Sequence, residues 1–238
     1  MPRLITSRDL RPLDLLVLKD VVRFGVLATD QIERRYADAA LAAVRLPILL
    51  SGDFISLWPN VIDGTSVYSA TAYGARVAEC GLRQSRPYAA HVPHDVALVD
   101  LADCLLAQDP GAEWRTEREA TRFLGESGGR SRRKVRQKGK DHRPDGLLLS
   151  GGKRLAIELE HSGKSIAEYE HICRWFACSV QLDGVRWYVD DPKVGDRIRR
   201  VNRQHGFDLD VEVRIELFPP GVVIRNRVGP LLARRVGA

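Results

Sequence analysis

Apolar residues in the first part of the chain recur at the spacing of helices. A first helix is predicted from Pro12, which suits a first helical turn, to Gly25, which suits a C-terminal cap. A second helix is predicted to begin at Thr29 and a third at Asp38, two residue types that favour N-caps. The apolar stripe of the first helix consists of Leu15, Leu16, Leu18, Val21, Val22 and Phe24.

An alternating pattern follows these helices. Residues 54–58 and 66–70 alternate as short strands on either side of Asp63-Gly64, a dipeptide that favours a tight hairpin turn. Three helices and a β-hairpin are the plan of a winged helix. We therefore predict a winged-helix-like domain over residues 10–83.

The third helix is the element with which a winged helix would contact DNA. It carries one basic residue here, Arg45, which is our candidate DNA contact in this domain. Pro47 is expected to break or kink the helix. The wing between Leu57 and Tyr68 has neither Lys nor Arg. Two interpretations stay open, DNA contact and a dimerisation or docking module.

The second part of the chain mixes strands and helices. Residues 84–93 resemble a linker, and a second domain is predicted over residues 90–225. Its mixed order of elements predicts a mixed sheet flanked by helices, so the fold class is α/β (α+β). The predicted strands cover residues 114–116, 145–150, 154–160, 185–189 and 209–217, and helices are predicted over 94–108, 117–124 and 192–204. A further helix is opened by a capping box of Ser165 and Glu168. Its residues predicted to face the core are Ile166, Tyr169, Ile172, Cys173, Phe176 and Val180.

Acidic residues meet at the predicted hairpin of this domain. Asp145 enters one strand, while Glu158 and Glu160 lie on the next and point to the same side. Three such carboxylates repel one another unless protons or a cation neutralise them, and Mg²⁺ or Mn²⁺ is the expected cation. Lys164 is predicted to stabilise charge or to orient a water molecule, and Glu119 to add a ligand or a supporting contact.

A simpler interpretation exists for part of this pattern. Alternating charge on a solvated sheet face is common, and it accounts for Glu158 and Glu160 taken alone. The Pro-Asp dipeptide, the hairpin, the nearby Lys164 and the capped helix together favour a catalytic metal site over that alternative. His161 points away from the acidic side, and no role is assigned to it.

A basic run precedes the carboxylates. It predicts contact with the phosphates of double-stranded DNA, because a dense positive charge releases counterions from polyanions. The alternative is a solvated loop that binds nothing specific. The run contains seven basic residues and no acid: Arg130, Arg132, Arg133, Lys134, Arg136, Lys138 and Lys140.

Composition narrows the class of protein. Of 238 residues, 44% are hydrophobic and 29% charged, with a net charge of +6, which is typical of a globular chain. Since no apolar run approaches the roughly 18 residues of a membrane span and no signal peptide is evident, we expect a cytoplasmic protein with no membrane partner. The four cysteines fit no zinc module and are interpreted as reduced thiols: Cys80, Cys104, Cys173 and Cys178.

The order of these motifs resembles a known nuclease family. Residues 143–146 (Arg-Pro-Asp-Gly), 156–160 (Ala-Ile-Glu-Leu-Glu) and 164–165 (Lys-Ser) are similar to the PD-(D/E)XK restriction-endonuclease-like motif. With residues 94–98 and 114–119, the whole order is similar to the replication-relaxation family of plasmid and actinobacterial mobile-element proteins.

The resemblance implies a winged helix joined to a restriction-endonuclease-like domain, and a link to replication, mobilisation or relaxation of DNA. Asp145 matches the motif's Asp and Glu158 its acidic residue, whereas Glu160 stands where the motif has Lys. The leading hypothesis is a Mg²⁺-dependent endodeoxyribonuclease, with Asp145, Glu158, Glu160 and Lys164 in catalysis. The alternatives are a non-catalytic DNA-binding accessory protein or regulator and a protein–protein interaction module. A homodimer is compatible with each.

Overall fold

The computed structural model describes residues 5–127, 142–209 and 211–225. The chain divides into two compact units. Unit 1 comprises the described residues up to Asp100 together with those from Val223, and unit 2 comprises Leu101–Val222. The boundary therefore falls later than the linker predicted at residues 84–93. The side chain of Gln31, which donates to the carbonyl of Val96 at 2.8 Å, is one of the contacts that join this stretch to unit 1.

The helices and hairpin predicted for the first domain are confirmed in unit 1. A three-stranded antiparallel sheet has the order β1-β3-β2, and Asp63-Gly64, with positive φ angles of 45° and 74°, joins its hairpin. The elements are α1 (Pro12–Phe24), β1 (Leu27–Ala28), α2 (Thr29–Tyr36), α3 (Ala39–Ser51), β2 (Ile55–Ile62), β3 (Thr65–Ala70) and α4 (Ala72–Val77), preceded by a short 3-10 helix (Ser7–Asp9). Helix α5 (Val92–Gln108) begins in unit 1 and continues into unit 2.

Helix α3 departs from the prediction at Pro47. The helix continues through the proline instead of breaking. A proline removes only one backbone donor from a helix, and Leu46 and Leu49 on either side of it are buried in the core of unit 1. Packing of this apolar face therefore outweighs the lost hydrogen bond.

Unit 2 contains a five-stranded mixed sheet in the order β4-β5-β6-β7-β8. Strand β5 is antiparallel to both of its neighbours, β4 and β6, whereas β6, β7 and β8 run parallel. The parallel pairs are joined by helices, as parallel strands require a crossover. The elements are β4 (Glu113–Thr116), α6 (Glu117–Ser127), β5 (Gly146–Ser150), β6 (Lys153–Glu160), α7 (Ile166–Ala177), β7 (Gly184–Val189), α8 (Pro192–His205), a 3-10 helix (Phe207–Leu209) and β8 (Glu212–Leu217).

Local signals explain why these elements start and stop where they do. The β5–β6 turn uses Gly151-Gly152, both at positive φ, and α7 opens with the predicted capping box, in which Ser165 and Glu168 exchange hydrogen bonds. Helix α8 begins at Pro192 and ends at Gly206, which adopts the left-handed conformation. The mixed sheet flanked by helices is thus confirmed.

Three apolar residues of unit 2 lie outside the core that the periodicity predicted. Val180 is 95% exposed because α7 ends at Ala177, before that residue is reached. Ile166 is 43% exposed in the first turn of α7. Leu209 is 87% exposed in the 3-10 helix, because β8 begins only at Glu212, on the edge of the sheet. None of the helices in the described parts of the chain is long and apolar enough to cross a membrane.

Candidate functional site

The β5–β6 hairpin brings Asp145 and Glu158 together. Gly146 pairs with Ile157 in the antiparallel register, so the residues one step further, Asp145 and Glu158, lie opposite each other. The amide of Leu159 donates to Asp145 Oδ2 at 2.8 Å, which holds this carboxylate beside β6. The carbonyl of Asp145 accepts a 3.1 Å bond from the amide of Glu117 at the start of α6.

Glu158 is a buried carboxylate in an unfavourable environment. It is 4% exposed. Burial, together with the nearby charge of Asp145, raises the pKa of Glu158 from 4.5 to about 7, although His142 and Lys164 act in the opposite direction. A cation bound here would offset the repulsion between the Asp145 and Glu158 carboxylates and would favour the ionised form of the buried Glu158.

His142 is the partner that the sequence did not reveal. Its Nε2 atom lies 2.8 Å from Glu158 Oε1. Its ring makes edge-to-face contacts with Trp175 and Phe176 of α7, with centroids 5.7 and 5.4 Å away. Burial works to lower the pKa of His142, but the hydrogen bond to Glu158 and the charges of Glu158 and Asp145 raise it overall. The signal available in the sequence was only its position, three residues before Asp145.

Glu160 is matched by Lys164 across the turn between β6 and α7. Lys164 Nζ forms an ion pair with Glu160 Oε2, and the amide and hydroxyl of Ser162 donate to Oε1 at 3.2 and 3.1 Å. Burial works to lower the pKa of Lys164, but the Glu160 pair and the charges of Glu158 and Asp145 raise it overall. Lys164 is therefore held positive in the electrostatic field of all three carboxylates.

The expected three-carboxylate metal cluster is thus only partly formed. Among the residues that the structure describes, no group of three or more His, Cys, Asp or Glu side chains is arranged to hold a metal ion. The reason is local: Glu160 turns to Lys164, which leaves Asp145 and Glu158 as the facing pair. Such a pair still suits Mg²⁺, which takes one or two carboxylates and completes its shell with water and phosphate oxygens.

Glu119, which was predicted to add a ligand or a supporting contact, forms hydrogen bonds at the start of α6. Its Oε2 atom accepts hydrogen bonds from the amide and the hydroxyl of Thr116, at 2.9 and 3.1 Å. These contacts satisfy the first turn of α6, which begins at Glu117. Glu119 therefore stabilises the helix whose start also binds the backbone of Asp145.

The structure corrects the expectation that Arg45 contacts DNA. Arg45 is 6% exposed, and its guanidinium forms an ion pair with Asp14, which also accepts a 2.8 Å bond from the hydroxyl of Tyr36. A side chain held in this way belongs to the core of unit 1. The predicted phosphate-binding run from Arg130 to Lys140 lies outside the described residues.

Comparison of the chain with protein-family models, with curated proteins and with solved structures gave no match.

Proposed function

We propose that unit 2 is a nuclease-type domain that hydrolyses phosphodiester bonds of double-stranded DNA with the help of Mg²⁺ or Mn²⁺. Asp145 and Glu158, which face each other at the β5–β6 hairpin, would hold the ion. When bound, the ion would supply polarisation of the phosphodiester and a lower pKa for an attacking water molecule. Lys164 stabilises the negative charge that develops on the phosphate.

The observation that carries this proposal is the facing pair of Asp145 and Glu158 with Lys164 in its field. Glu158 is almost fully buried, yet its neighbour is a second acid. This arrangement lowers the stability of the fold, so it is unfavourable in a sheet that has only a structural role. Strongly perturbed carboxylates of this kind cluster at functional sites. Binding of a divalent cation would explain why the two carboxylates lie next to each other.

His142 and Glu160 then have supporting roles. His142 is a positioning residue, because its 2.8 Å contact fixes the Glu158 carboxylate through the edge-packed aromatic rings of α7. Glu160 positions Lys164 through their ion pair. Glu160 stands at the sequence position of the motif's lysine, and Lys164 takes over the role of that lysine. Lys164 approaches the carboxylates from the turn before α7.

A plasmid-nicking assay tests the proposal. Wild-type protein is expected to nick or cut supercoiled DNA in Mg²⁺ or Mn²⁺ and to be inactive in EDTA. Asp145→Asn is expected to abolish cleavage, while Asp208→Asn, which neutralises an exposed aspartate in the same unit, is expected to cut like wild type. Equal cleavage by wild type and Asp145→Asn would remove the proposal.

The resemblance to the replication-relaxation family supports a biological setting for this activity. In that setting the substrate is plasmid or mobile-element DNA, and cleavage serves replication, relaxation or mobilisation. The test compares nicking of a plasmid that carries a replication or mobilisation origin with nicking of a plasmid of equal length without one. The plasmid with the origin is expected to be nicked preferentially.

A second candidate is a DNA-binding accessory protein that keeps the domain without its chemistry. The observation in its favour is that Glu158 and Glu160 already have the partners His142 and Lys164. This candidate predicts salt-dependent DNA binding that divalent ions neither enhance nor convert into cleavage. Cleavage that depends on Asp145 would exclude it.

A further inference from the structure

Helix α8 presents a continuous positive surface. Its apolar residues Val194, Ile198 and Val201 are buried against the sheet. Residues 193, 197, 200 and 204 recur at intervals of three and four and therefore lie along one line, on a flank of the helix about a quarter turn from the buried face. This line, here called the α8 stripe, consists of Lys193, Arg197, Arg200 and Gln204, all of them exposed.

Acidic neighbours do not cancel the charge of the α8 stripe. Asp196, the acid within α8, forms a 2.8 Å ion pair with Arg199, which lies to one side of the stripe. Asp191 accepts the amide of Lys193 at 2.8 Å and serves as the N-cap. In the part of the chain that the structure describes, Lys193 and Arg200 form no ion pair. Their charges are free to meet an external anion.

The α8 stripe starts beside the candidate site. The guanidinium of Arg197 donates to the carbonyl of Lys164 at 3.1 Å. A side chain added at Gly163, in the same turn, would place its Cβ in ordinary van der Waals contact with Arg197 and Val194, 3.8 Å from each. The turn that carries Lys164 is therefore packed on the first half of α8, and the stripe leads away from Lys164 along the helix.

We propose that the α8 stripe is a binding track for the sugar–phosphate backbone of the nucleic acid whose cleavage is proposed above. From Lys193 to Gln204 the helix rises about 16 Å. That length is sufficient for contact with a few successive phosphates of one DNA strand. The inference rests on the proposed function only in taking DNA as the partner. It adds a phosphate-binding surface whose residues differ from those of the run of Arg130 to Lys140.

The test measures DNA affinity without cleavage. A fluorescently labelled duplex is titrated in EDTA over a series of NaCl concentrations, and binding is followed by anisotropy. For Lys193→Gln/Arg200→Gln, the slope of log K against log salt is expected to be shallower by about 1.8, because each lost phosphate contact removes about 0.9. Affinity at 0.1 M salt is expected to fall roughly 10- to 60-fold.

Two further variants make the result specific. Lys153→Gln/Arg154→Gln removes the same charge at the start of β6, the far end of that strand from Glu160, and is expected to bind like wild type. Lys193→Arg/Arg200→Lys keeps the charge and is expected to retain the wild-type slope. Thermal melting of all variants checks that the fold is preserved.

The outcomes separate this inference from the proposed function. Three results would each overturn the track. The first is equal weakening of DNA binding by Lys193→Gln/Arg200→Gln and Lys153→Gln/Arg154→Gln. The others are unchanged binding by Lys193→Gln/Arg200→Gln and no DNA binding by the wild type. A wild type that binds through the α8 stripe but never cuts would overturn the catalytic proposal alone. Asp145-dependent cutting with normal binding by the α8 variant would overturn the track alone.

Discussion

Glu158→Gln is expected to stabilise the protein at alkaline pH while it destroys the candidate site. The substitution keeps the size of the side chain and an oxygen that can accept from His142 Nε2, 2.8 Å away in the native protein. It removes the negative charge that burial and Asp145 make unfavourable. A substitution that stabilises the fold at a proposed metal ligand indicates that the native residue is retained for function and not for stability.

The size of the effect follows from the pKa of Glu158, which is 4.5 ordinarily and about 7 in the native state. The folded state holds this proton to a higher pH than the unfolded state does. The contribution of Glu158 to stability is therefore fully present below pH 4.5 and is lost as pH rises through about 7. At pH 8 the ionised side chain costs about 3 kcal/mol, and at pH 5 less than about 1 kcal/mol. The raised pKa of His142 acts in the same direction.

Urea unfolding at pH 5 and pH 8, in EDTA, measures this difference. Glu158→Gln is expected to exceed wild type by about 3 kcal/mol at pH 8 and to differ little at pH 5. Mg²⁺ at about 100 times its dissociation constant is expected to stabilise wild type by about 2.7 kcal/mol at pH 8 and to leave the variant unchanged. Glu216→Gln, at an exposed position on β8, is the matched control.

Two results would refute this reasoning. One is a wild-type stability that rises between pH 5 and pH 8 while Glu158→Gln follows it in parallel. The other is a variant that is less stable than wild type at pH 8, which would mean that the ionised Glu158 contributes favourably through His142 without any metal.

Two further predictions concern the scaffold. Arg45→Ala is expected to lower the free energy of unfolding by about 3–5 kcal/mol in urea titrations, because Asp14 is left as an unpaired buried charge, while DNA affinity per folded molecule stays at the wild-type value. Ser165→Ala is expected to cost about 1 kcal/mol of unfolding free energy through loss of the α7 capping box, and Ser165→Thr is expected to restore most of it.

Much of the fold was predictable because its signals are local. The capping box at Ser165, the Gly151-Gly152 turn and the Asp63-Gly64 turn each depend on neighbouring residues, and each is present. Pro47 shows the limit: its effect on α3 was decided by burial of the surrounding apolar face, which is a tertiary property that periodicity does not measure.

The candidate site was predictable only in outline. The predicted hairpin was expected to bring Asp145 close to both Glu158 and Glu160, and the β5–β6 register places Glu158 opposite Asp145. Lys164 was predicted to act beside these acids, but neither its pairing with Glu160 nor the contact of His142 with Glu158 could be predicted. Both side chains reach the acids from irregular segments whose path depends on packing against α7 and α8. Arg45 was misassigned for the same reason: its partner Asp14 lies on another helix.

The most direct test of the metal site is a crystal structure of the protein grown with Mn²⁺ and measured at the manganese absorption edge. The account predicts one strong anomalous peak between the carboxylates of Asp145 and Glu158, at about 2.0–2.3 Å from their oxygens. It also predicts that the peak is lost in Asp145→Asn. A peak that persists in that variant, or full Mn²⁺ occupancy elsewhere with Asp145 and Glu158 unliganded, would contradict it.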